Sequence, residues 1–195
     1  MARGHLERGS DYPRSPLGRA ELSGAAVIRE EEEPLVLSSA RDSNAPPPLL
    51  DLVMAGNYTL TIIKPDALGS AKAGKIIAHL EQQGFKVRAS RVMHMTESQA
   101  GEFYAVHRER PFFKPLVSFM TSGPCMPMVL EKENAVAALR TAIGATDPAQ
   151  AEPGTVRKLF AESKERNAIH ASDSDENAER ESRFFFAESD VLGAV

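Results

Sequence analysis

The sequence has little cysteine and no tryptophan: one cysteine, Cys125, in a chain of 195 residues. A lone cysteine cannot close a disulfide within the chain. The sequence also lacks a run of about 18 apolar residues that could span a membrane, and it lacks a leader of the signal-peptide type. We therefore expect a soluble, cytoplasmic protein without a membrane contact.

An excess of positive charge is also missing. The chain has 23 Lys and Arg against 27 Asp and Glu, a formal net charge of −4. Such a molecule repels nucleic acid unless a local cluster of basic residues reverses the field. A nucleic-acid-binding protein is therefore disfavoured, and any binding of phosphate has to depend on a few basic residues brought together locally.

The first 53 residues differ in composition from the rest. They contain no lysine, six arginines, nine acidic residues and six prolines, and show no sustained period of 2 or 3.6. Such a segment buries too little apolar surface to offset its conformational entropy. We expect residues 1–53 to be a disordered leader. The alternative is that translation starts at Met54 and that the leader is a mis-assigned start; in both cases residues 54–195 form one domain.

From residue 57 onward, strand and helix patterns alternate. β-branched and alternating apolar residues predict strands, whereas apolar residues at helical spacing, Ser or Thr caps and a Gly84 stop predict helices. The predicted strands are 58–63, 85–95, 126–130 and 167–170, and the predicted helices are 72–83, 96–108, 112–120, 134–143 and 174–184. This order contains two βαβ halves. It predicts an α+β, ferredoxin-like fold, with a four-stranded antiparallel sheet covered by helices.

The common nucleotide and zinc motifs are absent, including the P-loop, G-x-G-x-x-G, H-E-x-x-H and paired cysteines. What remains is a set of polar and aromatic residues at turns and element ends. Cations, a hydroxyl, an aromatic ring and a histidine could together hold a polyphosphate beside a nucleophilic imidazole. Each of these residues is weak evidence when taken singly. They are Lys64, Tyr104, Phe112, Arg140, Thr146, Arg157, Asn167 and His170.

The motifs that contain these residues resemble the nucleoside diphosphate kinase family. The resemblance covers about residues 57–190, and N-x-x-H-x-S-D-S at 167–174 is its most specific part. The other blocks follow in the family's order: I-K-P-D-A at 63–67, H-R-E-R-P-F-F at 107–113, T-S-G-P at 121–124, G-A-T-D-P at 144–148 and P-G-T-V-R at 153–157. The chain looks like the short bacterial form of the family.

The resemblance implies transfer of a γ-phosphoryl group from a nucleoside triphosphate, such as ATP, to a nucleoside diphosphate. The implied reaction is a ping-pong cycle through a phosphohistidine, with Mg²⁺ as the cofactor carried on the nucleotide phosphates rather than on protein ligands. It also implies a homo-tetramer or a homo-hexamer. A catalytically silent nucleotide-binding or regulatory module on the same fold is the alternative, although the sequence retains the histidine and the arginines.

Within this resemblance, His170 corresponds to the nucleophile. Glu181 could accept a hydrogen bond from one ring nitrogen of His170, and Ser172 could bind Glu181. A neutral imidazole is available near pH 7 without a further base. Lys64 and Tyr104 match the family's groups near the transferred phosphate.

The nucleotide-binding residues are carried over in the same way. Phe112 matches the ring on which the base stacks, with Leu116 opposite. A ring face meets any base equally well, so broad base tolerance is expected. The remaining contacts match the family's phosphate ligands Arg140, Thr146 and Arg157, and its ribose contacts Lys64 and Asn167.

Three residues depart from the family's pattern. Ala171 follows the nucleophile where the family usually has glycine, and a methyl group is costly there if the position needs a positive φ. Pro127 lies within a predicted strand and needs a position with no N–H partner. Lys164 stands where the family is commonly apolar or neutral.

Overall fold

The computed structural model describes residues 56–193, so the predicted leader lies outside the described residues. Four strands make up one sheet: β1 Tyr58–Ile63, β2 Lys86–Ser90, β3 Met126–Glu131 and β4 Ile169–Ala171. The helices are α1 Pro65–Gly69, α2 Ala73–Gln82, α3 Glu97–Phe103, α4 Phe113–Met120, α5 Ala135–Ile143, α6 Val156–Phe160, α7 Asp175–Phe185 and α8 Glu188–Leu192, with a 3₁₀ turn at Ala105–His107. None of these helices is long and apolar enough to cross a membrane.

The sheet has the strand order β2-β3-β1-β4, and every neighbouring pair is antiparallel. All six residues of β1 are buried, as expected for a central strand with helices on both faces. The register pairs Tyr58 with Glu131 across β3 and Ile62 with His170 across β4. The predicted four-stranded antiparallel sheet is confirmed.

Two apolar cores lie on the two faces of this sheet, because strand side chains alternate. Leu60 and Ile62 of β1 share one core with buried residues of α3, α4, α7 and α8. Ile63 belongs to the other core, with buried residues of α2, α5 and α6. The helices on both faces therefore fix β1, the strand that leads directly into the candidate site at Lys64.

The second predicted strand was too long. β2 ends at Ser90, and its pairing with β3 shifts register between Val87 and Ala89. Beyond it, Met93 forms only an isolated bridge to Cys125. Pro127 fits in β3 because its carbonyl accepts from the Arg91 N–H just past the end of β2. The ring nitrogen of Pro127 faces the same side of β3, where the neighbouring strand β2 has already ended.

Three short helices were not predicted: α1, α6 and α8. Each has five residues, too few to show helical periodicity. Pro65 ended the predicted strand and is also the first residue of α1, where a missing N–H costs nothing. The predicted helix 96–108 ends at Phe103 and continues as the 3₁₀ turn. The predicted fourth strand began two residues too early, since β4 starts at Ile169.

Candidate active site

His170 lies in the middle of β4, beside the central strand. Its carbonyl accepts a hydrogen bond from the Thr61 hydroxyl at 2.6 Å, and its side chain is 19% exposed. The ring of Phe103 meets the imidazole edge-on, with centroids 5.5 Å apart. Backbone pairing and this aromatic contact hold the imidazole in one orientation while leaving part of it accessible.

The imidazole is bound on one side by a carboxylate. Nε2 of His170 lies 2.9 Å from Oε2 of Glu181, and the Ser172 hydroxyl donates to the same oxygen at 2.7 Å. A carboxylate only accepts, so Nε2 carries the hydrogen and Nδ1 keeps its lone pair. The structure thus brings together the predicted trio. It does so by placing Glu181 on the buried face of α7 and pairing the Ser172 N–H with the Leu60 carbonyl.

The turn before His170 has an uncommon backbone. Ala168 has φ +68°, and the Ile169 N–H donates to the Asn167 carbonyl across it at 2.8 Å. This is a classical γ-turn, a rare and strained conformation for a residue with a side chain. Ala171 is the position at which the sequence would place a cost if a positive φ were needed. It lies in β4 and is not among the described residues with positive φ, so the strain lies at Ala168 instead.

Lys64 and Asn167 form a buried polar pair. Nζ of Lys64 donates to Oδ1 of Asn167 at 2.7 Å. Burial lowers the pKa of Lys64 to about 8, and the positive charge of Arg157 adds to this effect, whereas Asp66 opposes it. The amide nitrogen of Asn167 donates to the Lys164 carbonyl at 3.0 Å, which turns the amide oxygen toward the ammonium group.

Arg157 connects the turn before His170 with the loop that contains Thr146. Its guanidinium donates to the Ile169 carbonyl at 3.0 Å and to the Gly144 carbonyl at 2.8 Å. Burial lowers its pKa to about 10, and the charge of Arg140 contributes. Arg140 itself is exposed, in the last turn of α5. The two guanidinium groups therefore influence each other beside the histidine strand.

A cleft of about 490 Å³ contains most of the predicted nucleotide contacts. Its lining includes Lys64, Phe112, Leu116, Thr146 and Asn167, together with Pro115, Phe119, Lys164 and Glu165. Half of Phe112 is exposed, so a flat ligand can reach the ring face.

Six predicted site residues lie outside this lining, namely Tyr104, Arg140, Arg157, His170, Ser172 and Glu181. Arg140 lines a separate depression at the N-terminal end of α7. His170 directly follows the γ-turn, Arg157 donates to the Ile169 carbonyl of that turn, and Asn167 of the same turn is part of the cleft wall.

Tyr104 contributes a buried phenol near the imidazole. Its ring centroid is 6.0 Å from that of His170, and its buried hydroxyl has no hydrogen-bond partner within residues 56–193. Burial raises the pKa of Tyr104 far above its usual value, and the charge of Glu181 adds to the shift. The hydroxyl therefore stays protonated and can donate a hydrogen bond to a ligand.

Sequence reasoning missed Asp66, whose carboxylate accepts a hydrogen bond from the Ala168 N–H at 3.0 Å. Asp66 stands in the I-K-P-D-A motif, but an acidic residue after proline is typical of the first turn of any helix. No local signal connected it with a residue a hundred positions later.

The model of the family described as "Nucleoside diphosphate kinase" matches residues 57–191 of this chain. The chain belongs to the nucleoside diphosphate kinase family. It is 60% identical over 134 residues to the nucleoside diphosphate kinase of Chlorobium chlorochromatii, covering 69% of this chain and 96% of the relative. The corresponding protein of Rhizorhabdus wittichii is 56% identical over 140 residues, which cover 72% of this chain and all of that protein.

Solved structures of the same family agree. The nucleoside diphosphate kinase of Aquifex aeolicus is similar at a TM-score of 0.68 and 46% identity, over 69% of this chain and 98% of that one. A halophilic nucleoside diphosphate kinase from Halobacterium salinarum, solved in complex with CDP, gives a TM-score of 0.66 at 38% identity. The match covers 70% of this chain and 91% of that one. The predicted family, its ferredoxin-like fold and the predicted enzyme class, a nucleoside diphosphate kinase, are confirmed.

Proposed function

We propose that this nucleoside diphosphate kinase transfers the γ-phosphoryl group of a nucleoside triphosphate to a nucleoside diphosphate, with His170 as the carrier. The observation that carries this assignment is the contact between His170 Nε2 and Glu181. It fixes the hydrogen on Nε2 and leaves Nδ1 as the nucleophile.

In the first half-reaction, the Nδ1 lone pair forms a bond to the γ-phosphorus. The bond from that phosphorus to the oxygen bridging the β- and γ-phosphates breaks, and the diphosphate leaves with the electron pair. An incoming diphosphate reverses the same step with its terminal oxygen. Because donor and acceptor use one site in turn, the kinetics are ping-pong.

Positioning and electrostatics supply most of the catalysis, since charge in this transition state spreads over the equatorial phosphoryl oxygens. We assign Arg140, Arg157 and Thr146 to the phosphates. Lys64 and the free hydroxyl of Tyr104 lie near the transferred group, and Glu181 stabilises the positive charge that develops on the imidazole.

The cleft receives the nucleoside in this proposal. The base lies between Phe112 and Leu116, and the ribose hydroxyls meet Lys64 and Asn167. Lys64 and Asn167 are already paired at 2.7 Å, so a hydroxyl can join an existing polar pair. Stacking on Phe112 does not discriminate among bases, which supports broad base tolerance.

We propose that Mg²⁺ enters as part of the nucleotide substrate. Among residues 56–193, no group of three or more His, Cys, Asp or Glu side chains is placed to hold a metal ion. The phosphate oxygens are suitable ligands for Mg²⁺, which commonly binds through substrate phosphates. When bound, the ion neutralises part of the phosphate charge.

The assignment is tested by incubation with ATP labelled at the γ-phosphate. We expect an acid-labile, alkali-stable label on the protein, lost in His170→Ala and retained in the matched control His79→Ala on α2. Nucleotide binding by the wild-type protein without any label would contradict the proposal and favour the catalytically silent module.

The assembly and location are proposed from family membership. We propose a homo-oligomer, either a tetramer or a hexamer, which light scattering distinguishes by mass. We also propose that the protein acts in the cytoplasm and that residues 54–195 form its catalytic domain.

A further inference from the structure

Asp66 is a buried carboxylate that the proposed mechanism does not use. It is 5% exposed, and one oxygen, Oδ2, accepts from the backbone N–H of Ala168 at 3.0 Å. The other oxygen, Oδ1, is buried and has no hydrogen-bond partner among the described residues. Burying a carboxylate is costly unless its hydrogen bonds compensate, so the bond to Ala168 is the contact that calls for an explanation.

The bond from Asp66 falls on the residue with positive φ in the turn before His170. Ala168 is fully buried with φ +68°, at the centre of the γ-turn that separates Asn167 from Ile169. Such backbone persists only where the surroundings hold it in place. A charge-assisted hydrogen bond to the N–H of Ala168 is a strong restraint of this kind.

The same segment holds the other side of this residue as well. The backbone N–H of Lys64 donates to the Ala168 carbonyl at 2.9 Å. Lys64 and Asp66 therefore bind both polar groups of Ala168, and they come from the chain that directly follows β1. The turn sets two directions: Asn167 toward the ammonium group of Lys64, and His170 into β4 next to the carbonyl bound by Arg157.

We propose that Asp66 is a positioning residue for phosphoryl transfer: by binding the N–H of Ala168, it holds the γ-turn that aims Asn167 into the cleft and His170 at the phosphate. The inference rests on the proposed function for its kinetic consequence. Asp66 does not touch the substrate, and its effect passes through the backbone of residues 167–169.

Substitutions of Asp66 separate the hydrogen bond from the charge. We expect Asp66→Ala to lower the single-turnover rate of phosphohistidine formation roughly tenfold or more, the loss that removal of a charge-assisted hydrogen bond supports. Asp66→Asn retains an acceptor oxygen and should stay within about threefold of the wild-type rate. The rates are measured at about pH 6.5, below the pKa of Lys64, so that loss of the nearby charge does not deprotonate the ammonium group.

Rescue by glycine distinguishes positioning from general stability. Glycine adopts positive φ without strain, so Ala168→Gly should restore most of the rate lost in Asp66→Ala. The matched control is Ala71→Gly, another alanine with positive φ, φ +56°, exposed and outside the turn. It should raise the melting temperature of Asp66→Ala without restoring the rate.

Hydrogen exchange gives a readout that does not depend on activity. We expect faster exchange in peptides covering residues 167–171 in Asp66→Ala, and slower exchange again once Ala168→Gly is added. A wild-type rate and wild-type exchange in Asp66→Ala, or equal rescue by Ala71→Gly, would overturn the inference. Should Asp66→Ala not fold, a tenfold loss in folded Asp66→Asn would overturn it too. Absence of label on the wild-type protein would instead contradict the proposed function, and the exchange comparison would still decide the role of Asp66.

Discussion

The buried hydroxyl of Tyr104 has no hydrogen-bond partner in the part of the chain that the structure describes. The ring centroids of Tyr104 and His170 are 6.0 Å apart. Burying an unpaired hydroxyl costs free energy, so Tyr104→Phe should raise the free energy of unfolding by about 1 kcal/mol. The same change removes a donor near the transferred phosphate and should lower the rate of phosphohistidine formation about tenfold. Denaturant unfolding and the labelling rate check the two effects.

Tyr58→Phe is the control for this pair of measurements. Tyr58 is also buried, but its hydroxyl is hydrogen-bonded to Arg88 and lies at the far end of β1 from Lys64. We expect a loss of stability and an unchanged rate. A loss of stability in Tyr104→Phe as well would show that its hydroxyl has a partner in solution.

Lys64 should give the enzyme an alkaline limit. Its pKa is lowered to about 8, so the ammonium group loses its charge as the pH rises through that value. We expect kcat/KM, which reports the free enzyme, to fall above about pH 8. In Lys64→Met, kcat/KM should be low at every pH and should not show this alkaline decrease. The same alkaline decrease of kcat/KM in the variant would show that another group titrates.

The contribution of Lys64 to the free energy of unfolding changes with pH in the direction opposite to activity. Between pH about 8 and 10.5 the unfolded chain holds the proton that the folded chain has released. Stability rises with pH where the unfolded state binds more protons, so this contribution increases while activity falls. Comparison of unfolding free energies between the wild type and Lys64→Met across this range measures it.

Single residues were predictable where a motif places several functional groups within a few positions. His170 and Ser172 belong to the N-x-x-H-x-S-D-S motif, and Glu181 lies 11 positions after His170 on α7, so the sequence suggested that the three side chains meet. Asp66 could not be found in this way. Its role depends on a backbone angle at Ala168, which sequence patterns do not encode when the residue is not glycine.

Among the secondary-structure elements, the loop before α6 offers a sharp test. Gly144 has φ +80°, and a Cβ there would lie 2.5 Å from Oγ1 of Thr155. Gly154 has φ +83° with open space around it. Both alanine variants carry the backbone penalty, but only Gly144→Ala adds an overlap, so it should be less stable by about 1–3 kcal/mol.

Thermal or denaturant unfolding measures this difference. Because Arg157 donates to the Gly144 carbonyl, Gly144→Ala should also slow labelling, whereas Gly154→Ala should not. Equal stability of the two variants would mean that Thr155 moves aside without cost.

Elements with a sustained period were predicted well, and short or irregular ones were not. α7 and α2 deviate from their predicted bounds by one residue at each end, because each presents an apolar stripe and a clear start or stop. β2 contains a register shift between Val87 and Ala89 and ends at Ser90, before its predicted bound, and β4 has only three residues. The lengths of β2 and β4 therefore depend on pairing with neighbouring strands, which the local sequence does not show.

For the whole molecule, the described contacts begin at residues 56 and 57. The Gly56 carbonyl accepts from Ala135, and the Asn57 carbonyl accepts from Lys132. A chain that starts at Met54 keeps these contacts, so we expect it to have the melting temperature and labelling rate of the full chain. A chain that starts at Leu60 shortens the central strand and should not fold. Loss of activity in the Met54 variant would assign a role to the leader.

The architecture itself was only partly accessible from local patterns. Alternation of strands and helices indicated an α+β domain, but the order β2-β3-β1-β4 depends on pairings between distant segments. That order was not predicted from the sequence. The apolar alternation of β1 and β3 then agrees with it, since each face of the sheet meets one core.

The contacts that form the candidate site join segments that are far apart in the sequence. Lys64 and Asn167 are 103 positions apart, Asp66 and Ala168 are 102 apart, and Leu60 and Ser172 are 112 apart. Contacts of such long sequence separation form late, because the entropy of closing large loops has to be overcome first. During synthesis on the ribosome, we therefore expect the nascent chain to gain the proposed capacity to accept phosphate only after its final quarter has emerged, so that labelling would mark completed folding.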